Sequence, residues 1–363
     1  MRLRPPLLLL AGATVAAAVI AAPGSASATP AAASAPKVTV LDRTVVAPYQ
    51  LTHDSSSVYV ADGGSSAVYK LTHKGLVKVA SGPQPGEVAG VAVNRKGTLA
   101  YTSTNYASGA TALTIKPKNG KTRTVDLSTF EQTRNPDRWI RYGFDNPTQC
   151  QRDAFEALGF PVSYRGEVDS HPYAVAALAD GAWVVADAGG NDLLKVDKHG
   201  NIRVLSVLPR QPYTITADAA GALGLPDCVV GAVYNFEAVP TDVEVAPNGR
   251  LIVSLLPGGP EDPVLGARGS VVSVNPHNGY ATKLATGLLG ATNVALGPNG
   301  KIFYSELFAG KIGVIEHGKA RTYVELGSPL GLTYFKGALY AGTLAPIDDQ
   351  GNPTGTGSLV RIK

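Results

Sequence analysis

From Val38 onward the chain alternates short apolar runs with Gly, Asn, Asp and Pro, a pattern that predicts strands and tight turns rather than helices. The clearest stretch is HPYAVAALADGAWVVADAGGNDLLKVDKHGNIRVLSVL at 171–208. It divides into strands near 173–178, 182–186, 192–197 and 201–208, with turns at Asp180-Gly181 and Lys198-His199-Gly200. The same grammar returns near Pro48 (APYQLTHDSSSVYVADGGSSAVYKL), Val88 (VAGVAVNRKGTLAYTS), Pro240 (PTDVEVAPNGRLIVSL), Ala291 (ATNVALGPNGKIFYSELFAGKIGVIEHG) and Pro329 (PLGLTYFKGALYAGT). A supersecondary unit repeated at this spacing cannot bury its faces alone and must pack against its copies.

Six units of four strands predict an all-β, six-bladed β-propeller, a ring that leaves no long sheet edge exposed. The last unit has three strands, ending in SLVRIK at 358–363, while VTVLD at 38–42 is a spare strand at the front. Pairing that N-terminal strand with the last blade would close the ring; an all-β sandwich or a pair of small barrels is the rival. In such a ring the a-to-b and c-to-d turns share one face. The insertions 127–170, 209–238, 256–269 and 343–356 all fall in the other set of connections and should decorate the opposite face. Within 127–170, RNPDRWIRYGF and CQRDAFEALGF read as short helices around proline breaks, and 215–224 as a further helical turn. Trp139, Tyr142 and Phe144 are expected to form a small apolar core in this cap.

Composition narrows the class without changing the fold. Of 363 residues 44% are hydrophobic and 17% charged, with 41 Gly and 26 Pro, which excludes global disorder and collagen. The net charge of +4 is spread along the chain, without the basic cluster that nucleic-acid binding needs. Arg2 and Arg4 before the apolar run Leu7 to Ala22, with Ala26-Ser27-Ala28 after it, predict a signal peptide over 1–28. The run is too short to span a bilayer, so no membrane insertion is expected. Residues 29–37 read as a disordered Pro/Ala spacer, and 38–363 as one domain carrying cap insertions at 127–170 and 209–238. A secreted, extracellular monomer follows as the expectation. In an oxidising compartment Cys150 and Cys228 should pair, and closing so long a loop is worth roughly 4 kcal/mol in the chain-entropy model. The bond would staple two insertions into a disulfide-held helical cap, and the capped face is where function is expected.

Aligning the units at their turn glycines places Asp62, Ser103, Asp187, Leu255, Glu306 and Thr343 at equivalent ends of the second strand. Around the start of the first strand stand Tyr49, Glu87, His171, Tyr173, Asp242 and Asn293, which with Glu306 make the candidate ligand pocket. Carboxylates and amides of this kind could hold Ca²⁺ or another divalent cation through Asp187, Asn293 and Glu306, although no cofactor is required. Asp62 and Asp187 read more simply as caps on their own turns, with Glu306 better placed to face the channel. No second histidine stands at zinc-ligand spacing from His171. The sequence has no nucleophile elbow, His-Glu-x-x-His motif, P-loop or dinucleotide fingerprint.

HPYAVAALADGAWVVADAGGNDLLKVDKHG and VPTDVEVAPNGRLIV, together with RNPD, the downstream YGF and the paired cysteines, resemble the secreted ScyD/ScyE family of bacterial propellers over nearly the whole chain. More distantly the units are similar to NHL repeats and to gluconolactonase-like and strictosidine-synthase-like propellers. Some of those hold a metal with Glu, Asn and Asp, types matched here by Glu306, Asn293 and Asp187, although Leu255 interrupts the acidic ring. The leading expectation is a non-enzymatic propeller whose capped face binds a small molecule, glycan or protein. The alternative is a metal-assisted, lactonase-like hydrolase or lyase with His171 as acid or base.

Overall fold

The computed structural model describes residues 35–260, 263–348 and 350–363; the expected signal peptide lies outside them. Within them the chain is a β-propeller made of antiparallel sheets. The first sheet comprises Pro48–His53, Val58–Asp62, Ala67–Thr72 and Gly75–Ser81. The second contains Gly86–Glu87, Val91–Val93, Leu99–Asn105, Thr111–Lys116 and Arg123–Asp126. The third is Pro172–Ala177, Trp183–Asp187, Asp192–Val196 and Ile202–Val207. Pro240–Val245, Leu251–Leu255, Gly269–Val274 and Ala281–Leu288 make the fourth sheet, and Ala291–Leu296, Ile302–Glu306, Lys311–Glu316 and Lys319–Glu325 the fifth. The sheet formed by Pro329–Phe335, Ala338–Thr343 and Ser358–Ile362 takes its outermost strand from Val38–Asp42. That strand runs antiparallel to the C-terminal one, with Val38 opposite Ile362 and Asp42 opposite Leu359, and the ladder extends to mutual bonds between Lys37 and Lys363. First strands of successive sheets touch in order, and the last touches the first, which closes the ring.

Strand alternation explains why these runs are apolar at almost every position. Ala174, Val184, Ala186 and Leu193 pack toward the fourth sheet with Val243, Leu251 and Val253, while Val175, Trp183, Val185 and Leu194 face the second with Ala92, Ala100 and Leu113. Each sheet is thus sandwiched between two neighbours, and equivalent clusters fill the other interfaces.

The repeat is exact enough in backbone terms to test the sequence alignment. Pro48 pairs with Asp62, Pro172 with Asp187, Pro240 with Leu255, Ala291 with Glu306 and Pro329 with Thr343. In the second sheet Val91 pairs with Tyr101 as Leu51 does with Val60, which puts Ser103 at the equivalent position, and the second strand runs on beyond it to Asn105, opposite Gly86. Its first strand is interrupted between Glu87 and Val91, where Gly90 passes so close to Ala174 that a Cβ on it would lie 2.9 Å from the Ala174 Cα.

The cap differs from its expected form. Helices are present, α1 at Ser128–Arg134, α2 at Gln149–Ala157 and α3 at Ala217–Ala222, but RNPDRWIRYGF, read as a helix, is a turn leading into the strand Arg141–Gly143, and the two insertions share a four-stranded sheet. In it Ser163–Arg165, Arg141–Gly143, Val233–Phe236 and Gln211–Thr214 lie side by side. Phe144, Phe155, Ile215, Leu225, Val229 and Tyr234 form its core. Tyr142 is fully buried, whereas Trp139, expected in this core, is 70% exposed and lies against the guanidinium groups of Arg138 and Arg165. The Cys150–Cys228 disulfide is formed and ties α2 to the short helical turn Asp227–Val229.

Candidate functional site

The middle of the ring is filled by three polar side chains from equivalent positions, two residues into their strands: Gln50, Asp242 and Asn293. All three are buried. Gln50 accepts from the Val91 and Val175 backbone N–H groups and donates to Asp242 (2.7 Å) and to the Val175 carbonyl. Asp242 also accepts from Val294 N–H at 2.9 Å; Asn293 accepts from Leu332 N–H at 2.7 Å and donates to the Tyr49 carbonyl. At the matching position of the last sheet, Gly331 leaves the room this plug needs, because a Cβ there would lie 2.8 Å from Leu51 and the Pro48 carbonyl. Burial pushes the Asp242 carboxyl up to about 7 against the bonds that favour its ionised form. Asp242 and Asn293, expected in an open pocket, are therefore structural ties across the axis. Gln50 was missed, although a lone polar residue at the repeat position of Asp242 and Asn293 was there to be read.

On the capped side of this plug the other expected pocket residues do come together. His171 immediately precedes its strand, and its Nε2 meets the carboxylate of Glu87 from the second sheet. The Tyr106 hydroxyl donates to the other Glu87 oxygen at 2.8 Å. Glu87 is 4% exposed as a side chain and His171 28%, so the imidazole is the accessible end of a buried acid. Burial favours the neutral ring of His171, but the adjacent Glu87 carboxylate outweighs it and raises the pKa to about 9. Burial likewise opposes ionisation of Glu87, and the charge and bonds of His171 and the Tyr106 hydroxyl overcome it, lowering its pKa. The pair is accordingly imidazolium and carboxylate at neutral pH. Tyr173 packs edge-on to His171 at 5.5 Å between ring centroids and meets Tyr49 at 4.9 Å, with Leu307, Leu330 and Leu344 in the same apolar cluster.

The acids that end the second strands have a different task. Asp62 accepts from Val46 and Ala47 N–H, and Asp187 from His171 and Gly190 N–H and the Ser170 hydroxyl. Glu306, expected to face the channel, instead accepts from Leu289 N–H and lies 3.4 Å from the Lys311 amine. Each closes the connection that leads into its own first strand. The structure therefore does not assemble Asp187, Asn293 and Glu306 into a metal site, since each spends its oxygens on different partners. Asp187 still matters to the pocket, because it fixes the backbone of His171.

The sequence matches no family model and no curated protein. Among solved structures the chain is similar to virginiamycin B lyase from Staphylococcus aureus, at 12% identity and a TM-score of 0.50, covering 90% of this chain and 98% of that one. It is also similar to the PQQ-bound aldose sugar dehydrogenase from Streptomyces coelicolor, at 12% identity and a TM-score of 0.54, covering 90% and 98%. A gluconolactonase from Xanthomonas campestris matches at 14% identity and a TM-score of 0.46, over 91% and 98%. At these identities the likeness shows the fold alone, that of a β-propeller.

Proposed function

We propose that the protein is a secreted enzyme of the lactonase-like hydrolase or lyase class, working at its capped face with His171 as proton donor and Glu87 as the acid that holds and charges it. The observation that carries this reading is the His171–Glu87–Tyr106 array: a part-exposed imidazolium backed by a buried carboxylate, beside an apolar and aromatic wall. A binding module needs no such internally charged, solvent-facing acid, and the fold is one that carries a lyase and a dehydrogenase elsewhere. In ring opening of a lactone, water adds to the carbonyl carbon and the bond to the ring oxygen breaks. His171 gives its proton to that leaving oxygen and regains one from the attacking water, so the net change is lactone plus water to hydroxy acid. The role expected of Asp187, Asn293 and Glu306 as ion ligands is not part of this scheme.

The finer identity belongs to the same proposal. Six blades are supported by the cyclic order of first strands and by the pairing of Val38–Asp42 with the C-terminal strand. Membership of the ScyD/ScyE family, kinship with NHL repeats and export by the N-terminal segment rest on the sequence phrases given above. The mature protein should be assayed against a panel of lactones and cyclic esters. Turnover that falls about 10²-fold or more in His171→Ala supports the reading. A protein that turns over none of them, yet binds one in a His171-dependent way, would be a non-enzymatic binder of a small molecule or glycan.

A further inference from the structure

Where the cap meets the third sheet, four carboxylates are buried together. Glu131 on α1, Asp137 just beyond it, and Asp187 and Asp192 on either side of a glycine turn are each at most 3% exposed. Among the described residues none of the four forms an ion pair with Lys or Arg. Asp187 is satisfied by its three donors, and Asp137 accepts on one oxygen from Tyr142 and Asn191. Both oxygens of Asp192 and Oε1 of Glu131 are buried with no hydrogen-bond partner, and so are Asp137 Oδ1 and the Asn135 side-chain oxygen. An ionised carboxylate taken from water without donors or a counter-charge costs several kcal/mol, and neighbouring ones repel.

Glu131, Asp192 and a main-chain carbonyl come together beside Gly190. The point that a Cβ on Gly190 would occupy lies 3.4 Å from Glu131 Oε2, 3.6 Å from Asp192 Cγ and 3.7 Å from a main-chain carbonyl oxygen. We propose that this cluster holds one hard divalent cation of the Ca²⁺ class, ligated by Asp192 and Glu131 and completed by carbonyl and water oxygens. Its unpartnered atoms are oxygens, which suits Ca²⁺ and not the nitrogen and sulfur preference of zinc. Among the described residues no three His, Cys, Asp or Glu side chains make a ready metal-ligating group, so the site is a two-carboxylate one, with Asp137 and Asp187 adding negative field. Its position gives it a purpose, since it would pin α1 of the cap to the turn of the third sheet. Its two ligands take no part in the His171 site, although Asp187 borders both.

The test uses the whole mature chain, stripped with chelator, in calorimetric titration and thermal melting with CaCl₂ and MgCl₂. Wild type should bind one Ca²⁺ and melt higher with it, with Mg²⁺ much less effective, and Asp192→Asn and Glu131→Gln should each weaken Ca²⁺ binding tenfold or more. If Asp192→Asn fails to fold, Glu131→Gln carries the same comparison. No Ca²⁺ response in the wild type, with Asp192→Asn melting as high as wild type in chelator, would mean that bound protons neutralise the cluster and would overturn the site. Ca²⁺ binding unchanged in both variants would equally overturn it.

Discussion

At the scale of single residues, position in the repeat decides what a polar side chain does. His171 and Glu87 become an acidic pair because one immediately precedes the third sheet and the other starts the second, so they meet across an interface. The pair ties stability to pH. The raised His171 pKa contributes stability that is fully present below its unfolded value near 6.5 and is lost as pH rises through about 9. The lowered Glu87 pKa adds stability above the ordinary carboxylate range that is lost on acidification through its own depressed value. Wild-type melting temperature should therefore fall between pH 7 and 10 more than that of Glu87→Gln; parallel curves would show that the pair is not formed. Asn293→Ala should destabilise by about 2–4 kcal/mol in denaturant unfolding, because it strands the Leu332 N–H and the Tyr49 carbonyl in the plug. The sequence showed that Asp242 and Asn293 stand at one repeat position, but not that this position points at backbone N–H groups across the axis. Their partners are separated from them by tens to hundreds of residues, and no local pattern records such contacts.

At the scale of elements, the cap is a small unit with its own core and sheet, and its legibility was uneven. Of the helices, α2 and α3 fall where they were expected, and α2 opens with a capping box, in which Thr148 and Gln151 exchange side-chain bonds with each other's backbone; α1 ends where the RNPD phrase begins, and that phrase, read as helical, instead forms a turn and a strand. The shared sheet was not readable, since its strands are three or four residues long and pair across two separate insertions, too short for alternation to register. Trp139 was misplaced for a related reason: an aromatic residue among arginines packs as well on guanidinium planes at the surface as inside a core. Cys150→Ser should loosen the link between the insertions and speed proteolysis within 127–170, with little change in the main unfolding transition. Loss of that main transition would show that cap and ring do not fold as separate units.

At the scale of the whole molecule, the fold was legible because each sheet is apolar on both faces and the same turn chemistry recurs around the ring. Closure follows from the spare strand at 38–42, which supplies the outer edge of the last sheet. Removing 38–42 should unfold the ring cooperatively, and a deletion variant with unchanged melting would refute that role. The ring in turn holds His171 and Glu87 at a fixed separation on the capped face, which is what gives the site its charge. The measurement that tests this most directly is an NMR titration of the His171 imidazole in the wild type and in Glu87→Gln. The account predicts a midpoint near 9 in the wild type, falling to 6.5 or below once the carboxylate is neutralised; a wild-type midpoint near 6.5, unmoved by the substitution, would contradict it.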